Sequence, residues 1–397
     1  MQRLSDPIVN ERDRHVPVTS RRLMAATHVA FVLTGTVTTL LGPLLPVLAA
    51  RWSLEDARAG YFFTAQFAGS MAGVALSGAL VTRFGFARAV TAGLATMAVG
   101  VGALGIAAWP AALLFVAGYG IGLGITIPAT NLLVAEAAAG RRAEALNILN
   151  LAWGVGAVAA PPVFAWFAAR GRVDAFLFSL AASLVLIMLV QAGFSRTAQS
   201  AVPAREQTRG PAPVVRWGSP VFLVYGALFF VYVGTENALA GWIAAFAQRL
   251  DTAAIAASTP AVFWAGLLTG RAVAPLLLHR LTETSLVQGG LMLAAVGVVL
   301  VLTTATLAGV IVSAGICGFG LSVVFPTTIA QLSRRFADAN ARAAAAAFVL
   351  AGLGGATVPW LVGVWSTSAG SLRAGLVVPL IGCLAMMALH AYRARLD

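Results

Sequence analysis

The chain has 397 residues, of which 59% are hydrophobic and only 10% are charged, and its formal net charge at pH 7 is +12. A soluble domain carries about a quarter charged residues, so this composition excludes an ordinary soluble protein. The positive charge does not indicate nucleic-acid binding, because all 26 basic residues are Arg and most of them lie between long apolar runs.

Apolar runs of about 20–30 residues alternate along the chain with charged or Pro- and Gly-rich breaks, and each is long enough to cross a hydrocarbon core of about 30 Å. Lipid offers no hydrogen-bond partners to the backbone, so such runs must be helical. We therefore predict an all-α membrane protein with twelve transmembrane helices near residues 22–50, 57–82, 87–107, 110–137, 143–169, 173–194, 219–248, 254–279, 284–303, 306–334, 340–367 and 372–393.

Polar segments divide these helices into two sets of six. Residues 195–217 contain three Pro and four Arg and are predicted to form a cytoplasmic linker between an N-terminal bundle, 22–194, and a C-terminal bundle, 218–393. Residues 1–21 and 394–397 are predicted cytoplasmic tails. The first 22 residues lack the apolar core of a signal peptide, so the first helix is expected to be retained.

The distribution of Arg predicts the orientation. With both termini in the cytoplasm, 19 Arg lie on cytoplasmic segments, 6 lie on external loops and one, Arg271, lies inside a helix. Positive residues accumulate on the cytoplasmic side of membrane proteins. We therefore expect a multi-pass protein of the bacterial inner membrane, with both ends in the cytoplasm.

An internal repeat supports the division into halves. When the chain is shifted by 198 residues, Gly120, Gly122, Leu123, Pro128 and Thr130 fall on Gly318, Gly320, Leu321, Pro326 and Thr328. Two halves related by a parallel duplication are typical of secondary transporters, whose substrate site lies between the halves near the bilayer midplane.

The four-residue spacing of Gly69 and Gly73, and of Gly266 and Gly270, also predicts faces on which neighbouring helices pack closely.

The loop between the second and third helices carries a known signature. Its sequence, Gly78-Ala-Leu-Val-Thr-Arg83-Phe-Gly85-Phe-Ala-Arg88, resembles the Gly-x-Leu-x-Asp-Arg-x-Gly-Arg loop of the major facilitator superfamily. Thr82 stands where that family usually has Asp. The resemblance implies two pseudo-symmetric six-helix bundles that work by alternating access, and it implies a gating or structural role for Arg83 and Arg88.

Further segments resemble the fucose permease-like branch of sugar:proton symporters. They are residues 122–131, 232–243, 270–271 and 354–360. That branch carries proton-binding carboxylates in its first and fourth helices, and this chain has no acidic residue at those places. The resemblance implies proton-coupled uptake of a sugar or a similar small polar solute by a monomer, with a proton carrier elsewhere in the chain.

Ionisable residues inside membrane helices are costly and usually functional. Glu236, in the seventh helix, is the predicted coupling carboxylate, and the alternative is a structural hydrogen-bonded residue. Arg271, in the eighth helix, is predicted to be a structural clamp near the cytoplasmic gate. Glu136, at the cytoplasmic end of the fourth helix, is predicted to form an interface ion pair with Arg141 or Arg142.

Amides and Trp residues inside the helices are the predicted substrate ligands. Amides offer paired donors and acceptors, and aromatic rings offer a flat apolar surface, so the set suits hydroxyl-rich solutes. The alternative is hydrogen bonding between helices. The predicted substrate-binding residues are Gln66, Asn131, Asn150, Trp153, Asn237 and Trp242.

Other functions remain alternatives. A proton-driven efflux antiporter for drugs or metabolites would use the same fold, and a non-transporting membrane sensor would explain the missing carboxylates. Motifs of hydrolases, metalloproteases and nucleotide-binding loops are absent from the sequence, so an enzyme is not expected. Neither Cys317 and Cys383 nor the four His show a disulfide or metal-ligand pattern, so no cofactor or metal is expected.

Overall fold

The computed structural model describes residues 18–138, 140–198, 219–336 and 340–394, and all regular secondary structure within these ranges is helical. Most of the predicted linker, 195–217, and most of both predicted tails lie outside the described residues. The helices are α1 (Val18–Thr38), α2 (Leu41–Arg51), α3 (Asp56–Phe84), α4 (Phe86–Ile106), α5 (Ala112–Ala137), α6 (Arg142–Ala168), α7 (Val173–Ala198), α8 (Pro220–Leu250), α9 (Thr259–Leu278), α10 (Glu283–Thr303), α11 (Leu307–Leu321), α12 (Val324–Arg335), α13 (Asn340–Ala369), α14 (Leu372–Gly375) and α15 (Val377–Arg393), with a short 3-10 helix at Ala254–Ser258.

These helices form twelve membrane spans. In the described residues, eleven spans are long and apolar enough to cross a bilayer, and the pair α1 and α2, bent by 43°, supplies the twelfth. Helices α11 and α12 form one span, as do α14 and α15. The predicted all-α fold with twelve transmembrane helices is therefore confirmed, and the chain is a multi-pass membrane protein.

The first span is broken, which the sequence analysis did not predict. Pro43 has no N–H to donate to the Thr39 carbonyl, and the Gly42 N–H bonds to that carbonyl instead, at 3.2 Å. The Thr38 carbonyl thereby loses its partner within the helix, and the Gln66 side chain of α3 donates to it at 3.4 Å. The break thus frees a backbone acceptor of the first span for a hydrogen bond from another helix.

The same helices pack closely in each half. A Cβ on Gly69 of α3 would lie 2.1 Å from the Ala117 carbonyl oxygen of α5. In the second half, a Cβ on Gly266 of α9 would lie 2.4 Å from the Gly315 carbonyl oxygen of α11. The close packing predicted at these glycines is confirmed, and the repeated contact reflects the internal repeat.

The side of the bundle on which α1 begins and α15 ends is called here the terminal side, and the opposite side is called the distal side. The two halves, α1–α7 and α8–α15, meet mainly where α3 packs on α13, α6 on α9 and α2 on α8. On the distal side, Asp56 of α3 forms an ion pair with Arg249 of α8 at 2.5 Å and accepts a hydrogen bond from Ser366 of α13. The Ala57 N–H donates to the Thr367 hydroxyl at 2.9 Å. The halves are thus joined at their distal ends.

Candidate functional site

A narrow cavity lies beside the break in the first span. Residues from both halves line it, so it lies on the interface that a rocking motion would open. Two of the predicted substrate-binding residues, Gln66 and Asn237, belong to its wall. The lining residues are Thr38, Thr39, Leu41, Gly42, Phe63, Gln66, Asn237, Ala240, Gly241 and Trp264.

Gln66 is bound by the protein itself. Its side chain is 4% exposed, its Nε2 donates to the Thr38 carbonyl, and its Oε1 accepts from the Tyr119 hydroxyl at 2.9 Å. The side chain therefore ties α3 to the break in the first span and to α5. This arrangement matches the alternative interpretation, hydrogen bonding between helices, while Gln66 still lines the cavity.

The three predicted Asn ligands share a different arrangement. The Nδ2 of Asn131, Asn150 and Asn237 donates to the carbonyl four residues earlier in the same helix, at 2.8, 2.9 and 2.8 Å. These bonds orient each carboxamide along its own helix and leave Oδ1 as an acceptor. Of the three, the structure brings Asn237 to the cavity. Asn131 is half-buried in α5, and Asn150 is exposed on α6.

The two predicted Trp ligands occupy different environments. Trp153 of α6 packs edge-on against Trp264 of the cavity wall, with ring centroids 5.6 Å apart, and its indole N–H donates to the Thr38 hydroxyl at 3.3 Å. Trp242 of α8 is 1% exposed, and its indole N–H donates to the Pro359 carbonyl at 2.8 Å. Trp153 thus adjoins the cavity, whereas Trp242 joins α8 to α13.

A charged cluster lies next to Asn237. The Tyr232 hydroxyl donates to Glu236 Oε1 at 2.7 Å, and Arg271 Nη2 of α9 lies 3.9 Å from the same oxygen. The Glu236 side chain is 12% exposed and that of Arg271 is 34% exposed. The buried Arg271 Nε has no hydrogen-bond partner among the described residues. The long side chains of Glu236 and Arg271 thus bring α8 and α9 together at this point.

The predicted gating residues lie on the terminal side. Arg83 and Arg88 are exposed, and the Arg83 guanidinium lies 5.3 Å from the Phe84 ring centroid. The Thr82 hydroxyl bonds back to the Gly78 carbonyl at 3.0 Å, within its own helix. Glu136 is exposed. Arg141 pairs with Glu144, its Nε lying 2.6 Å from Glu144 Oε2. The predicted ion pair of Glu136 with Arg141 or Arg142 is not formed among the described residues.

Sequence reasoning missed the distal contacts. Asp56 and Arg249 join the two halves, although 193 positions separate them in the chain. The available signal was weak: opposite charges stand at two helix ends that the Arg distribution places on the same side of the membrane. Tyr232 was noticed only as part of a family-like segment, and its position one helical turn before Glu236 was the signal for the hydrogen bond.

Comparison with known proteins assigns this twelve-helix bundle to a class. Residues 27–359 match the family model of the Major Facilitator Superfamily, and the chain belongs to that superfamily of membrane transporters. It is 24% identical, over 307 residues, to an uncharacterized MFS-type transporter of Yersinia pestis, covering 76% of this chain and 78% of the relative.

Two solved structures share the fold. One is a bacterial homolog of the human lysosomal transporter Spinster, in an inward-facing and unoccupied conformation, with a TM-score of 0.74 at 17% identity over 96% of this chain and 98% of that chain. The other is the transporter FucP in an outward conformation, with a TM-score of 0.60 at 17% identity over 93% of this chain and 98% of that chain. FucP, the neighbour that corresponds to the predicted fucose permease-like branch, is thus one of several structural neighbours.

Proposed function

We propose that this protein is a proton-coupled secondary transporter that imports a sugar or a similar small polar solute by alternating access. The observation that carries the proposal is the cluster of Glu236, Tyr232 and Arg271, whose carboxylate lies on α8, the helix that also contributes Asn237 to the cavity between the two halves. When a nearly buried carboxylate beside a single cation takes up a proton, the net charge of the site becomes more positive by one unit.

The asymmetry of the interface supports alternating access. Among the described residues, the ion pair between the halves is Asp56–Arg249, on the distal side. The contacts between the halves at their distal ends agree with a state that is closed on the distal side. With the terminal side in the cytoplasm, as the Arg distribution predicts, this is the state that releases an imported solute.

The coupling step follows from the charges in the cluster. While Glu236 is ionised, it attracts Arg271 and accepts the Tyr232 hydrogen bond. When Glu236 takes up a proton, Arg271 loses its counter-charge and becomes available to a solute oxygen or to a new partner. Proton binding and solute binding thereby favour the same rearrangement of α8 against α9.

The solute class rests on the polar atoms at the cavity. Asn237 presents Oδ1, and Trp264, which packs edge-on against Trp153, contributes an aromatic ring to the same cavity wall. An acceptor that binds hydroxyl groups, placed beside a flat aromatic surface, suits a sugar ring. Gln66 is already engaged within the protein, so its contribution is to hold the wall in place.

Substitution of Glu236 tests the proposal. In proteoliposomes, Glu236→Gln should abolish uptake driven by a pH gradient while leaving solute counterflow, which needs no net proton movement. The probes are D-glucose, L-fucose and uridine, after a thermal-shift screen has shown which of them raises the melting temperature. Glu55→Gln, in an exposed distal position, is the matched control. Full accumulation by Glu236→Gln would refute the coupling role.

Drug efflux is the second candidate, because Phe63 and Trp264 in the cavity wall, with Trp153 beside it, also suit flat apolar cations. Whole cells expressing the protein would then lose ethidium faster than cells without it, and sugar uptake would be unchanged. A ligand that binds without any flux in proteoliposomes would instead indicate a sensor.

A further inference from the structure

The pair of Glu236 and Arg271 lies within the spans α8 and α9, whereas the other ion pairs among the described residues lie at helix ends. Arg271 Nη2 is 3.9 Å from Glu236 Oε1, which is longer than a hydrogen bond. The same oxygen accepts the Tyr232 hydroxyl at 2.7 Å. Glu236 therefore has a hydrogen-bond partner of its own, and it attracts this Arg271 nitrogen through charge alone.

Arg271 is turned toward the space between the halves. One side of α9 packs on α11, where a Cβ on Gly266 would lie 2.4 Å from the Gly315 carbonyl oxygen. Trp264, in the cavity wall, and Arg271 are seven positions apart, so they lie on nearly the same side of α9, about 120° around the helix from that glycine side. The Arg271 side chain is 34% exposed, so a solute in this space can reach it.

The facing helix of the other half offers a neutral polar group. A Cβ on Gly154 of α6 would lie 2.6 Å from a Leu268 methyl carbon of α9. Asn150 precedes Gly154 by one turn and is exposed, so it lies on the same side of α6, nearer the terminal side. Arg271 follows Leu268 toward the terminal side in the same way. An amide acceptor and a guanidinium therefore lie on opposite walls of one cleft.

The charges of this cleft have no equivalent in the N-terminal half. The shift of 198 residues places Thr38 opposite Glu236, and a shift of 197 residues places Val74 opposite Arg271. The C-terminal half thus supplies the charged groups, and the N-terminal half supplies neutral hydroxyl and amide groups. A solute that matches this arrangement carries charge at one end and hydroxyl groups at the other.

We infer, on the basis of the proposed function, that the solute is a hydroxylated monocarboxylate of the sugar-acid class, whose carboxylate binds Arg271 while Glu236 is protonated. With Glu236 protonated, a neutral solute leaves the charge of Arg271 uncompensated inside the membrane, which is costly. A solute with one negative charge restores the balance. Its carboxylate can also accept parallel hydrogen bonds from the guanidinium.

Matched pairs of solutes test the charge requirement in proteoliposomes that contain the full-length protein. The pairs are D-glucuronate with D-glucose and D-gluconate with D-glucitol, and the members of each pair differ by a carboxylate in place of a hydroxymethyl group. We expect an acid to accumulate under a pH gradient with a KM at least about tenfold below that of its neutral partner. Accumulation of a neutral probe without either acid would overturn the inference and leave the proposed function intact. If nothing accumulates, both fail.

The membrane potential, set with potassium and valinomycin, provides a second measurement on the wild type. One proton and one monoanion together carry no net charge, so accumulation of the acid should not respond to the potential. A neutral solute that moves with one proton should respond by up to about fifty-fold for a change of about 100 mV. An acid whose accumulation follows the potential in this way would contradict the charge balance at Arg271.

Arg271→Gln should raise the KM of the acid about tenfold or more and remove the preference over the neutral partner. Arg280→Gln, an exposed Arg at the terminal end of the same helical segment, is the matched control and should keep the preference. A preference that is equal in Arg271→Gln and the wild type would exclude Arg271 as the carboxylate-binding group. If Arg271→Gln does not fold, the potential measurement on the wild type decides.

Discussion

A carboxamide inside a membrane helix can bind a solute or a neighbouring helix, and Gln66 and Asn237 differ in this respect. Gln66 uses both ends of its amide to join the Thr38 carbonyl and the Tyr119 hydroxyl. Asn237 uses only Nδ2, on a carbonyl of its own helix. Residue type alone predicts the capacity of both to hydrogen-bond, but the partners of Gln66 come from the break in the first span and from Tyr119 of α5.

Replacing Gln66 should therefore cost stability. Gln66→Met keeps the length of the side chain but leaves the Thr38 carbonyl and the Tyr119 hydroxyl without partners in a buried place. We expect a loss of about 1–2 kcal/mol of unfolding free energy, within the range for polar contacts between membrane helices. The measurement is the thermal unfolding midpoint in detergent. Asn150→Leu, on an exposed helix face, should change it little, and equal losses in both variants would contradict the assignment.

At the scale of the helices, the apolar runs predicted the spans to within a few residues, because length and the absence of charge determine what can cross a bilayer. They did not predict the break between Thr38 and Leu41, since no Arg, Asp or Glu interrupts the run between residues 23 and 50. Pro43 was the available signal. The faces that pack closely were predicted at Gly69, because a missing side chain is visible in the sequence.

Two glycines of the same helix separate packing from helix propensity. A Cβ on Gly69 would lie 2.1 Å from the Ala117 carbonyl oxygen, whereas a Cβ on Gly78 would meet nothing within 4 Å. Gly69→Ala should destabilise the protein by about 1–3 kcal/mol, because α3 and α5 must separate. Gly78→Ala should be neutral or stabilise by up to about 1 kcal/mol, because Ala favours helix. Unfolding midpoints of the two variants that are equal would show that α3 and α5 do not pack at this distance.

At the scale of the whole molecule, sequence predicted two related halves but not how they touch. The internal repeat identifies equivalent helices, such as α3 and α9, yet it contains no information about contacts between residues that have no equivalent in the repeat. Asp56 and Arg249 form such a contact, and so do the Trp153 and Trp264 rings. The distal closure that we propose is therefore a property of the assembled bundle, and only side-chain geometry reveals the contacts that support it.

The Asp56–Arg249 pair offers a direct test of how that state is maintained. Asp56 is 10% exposed and binds both Arg249 and the Ser366 hydroxyl, so it contributes more than an exposed surface pair would. Asp56→Asn removes the charge that joins the halves and should shift the population toward distal opening by up to about tenfold, which corresponds to about 1.4 kcal/mol.

An introduced Cys at position 237, in the cavity wall, reports this shift, because both native Cys are buried. In proteoliposomes, a membrane-impermeant thiol reagent added on the distal side should label it faster in Asp56→Asn than in the parent. Asp174→Asn is the matched control, since Asp174 pairs with Arg51 at 2.6 Å on the same side but within one half. If both substitutions accelerate labelling equally, loss of a distal charge loosens the bundle generally, and the pair between the halves does not hold this state closed.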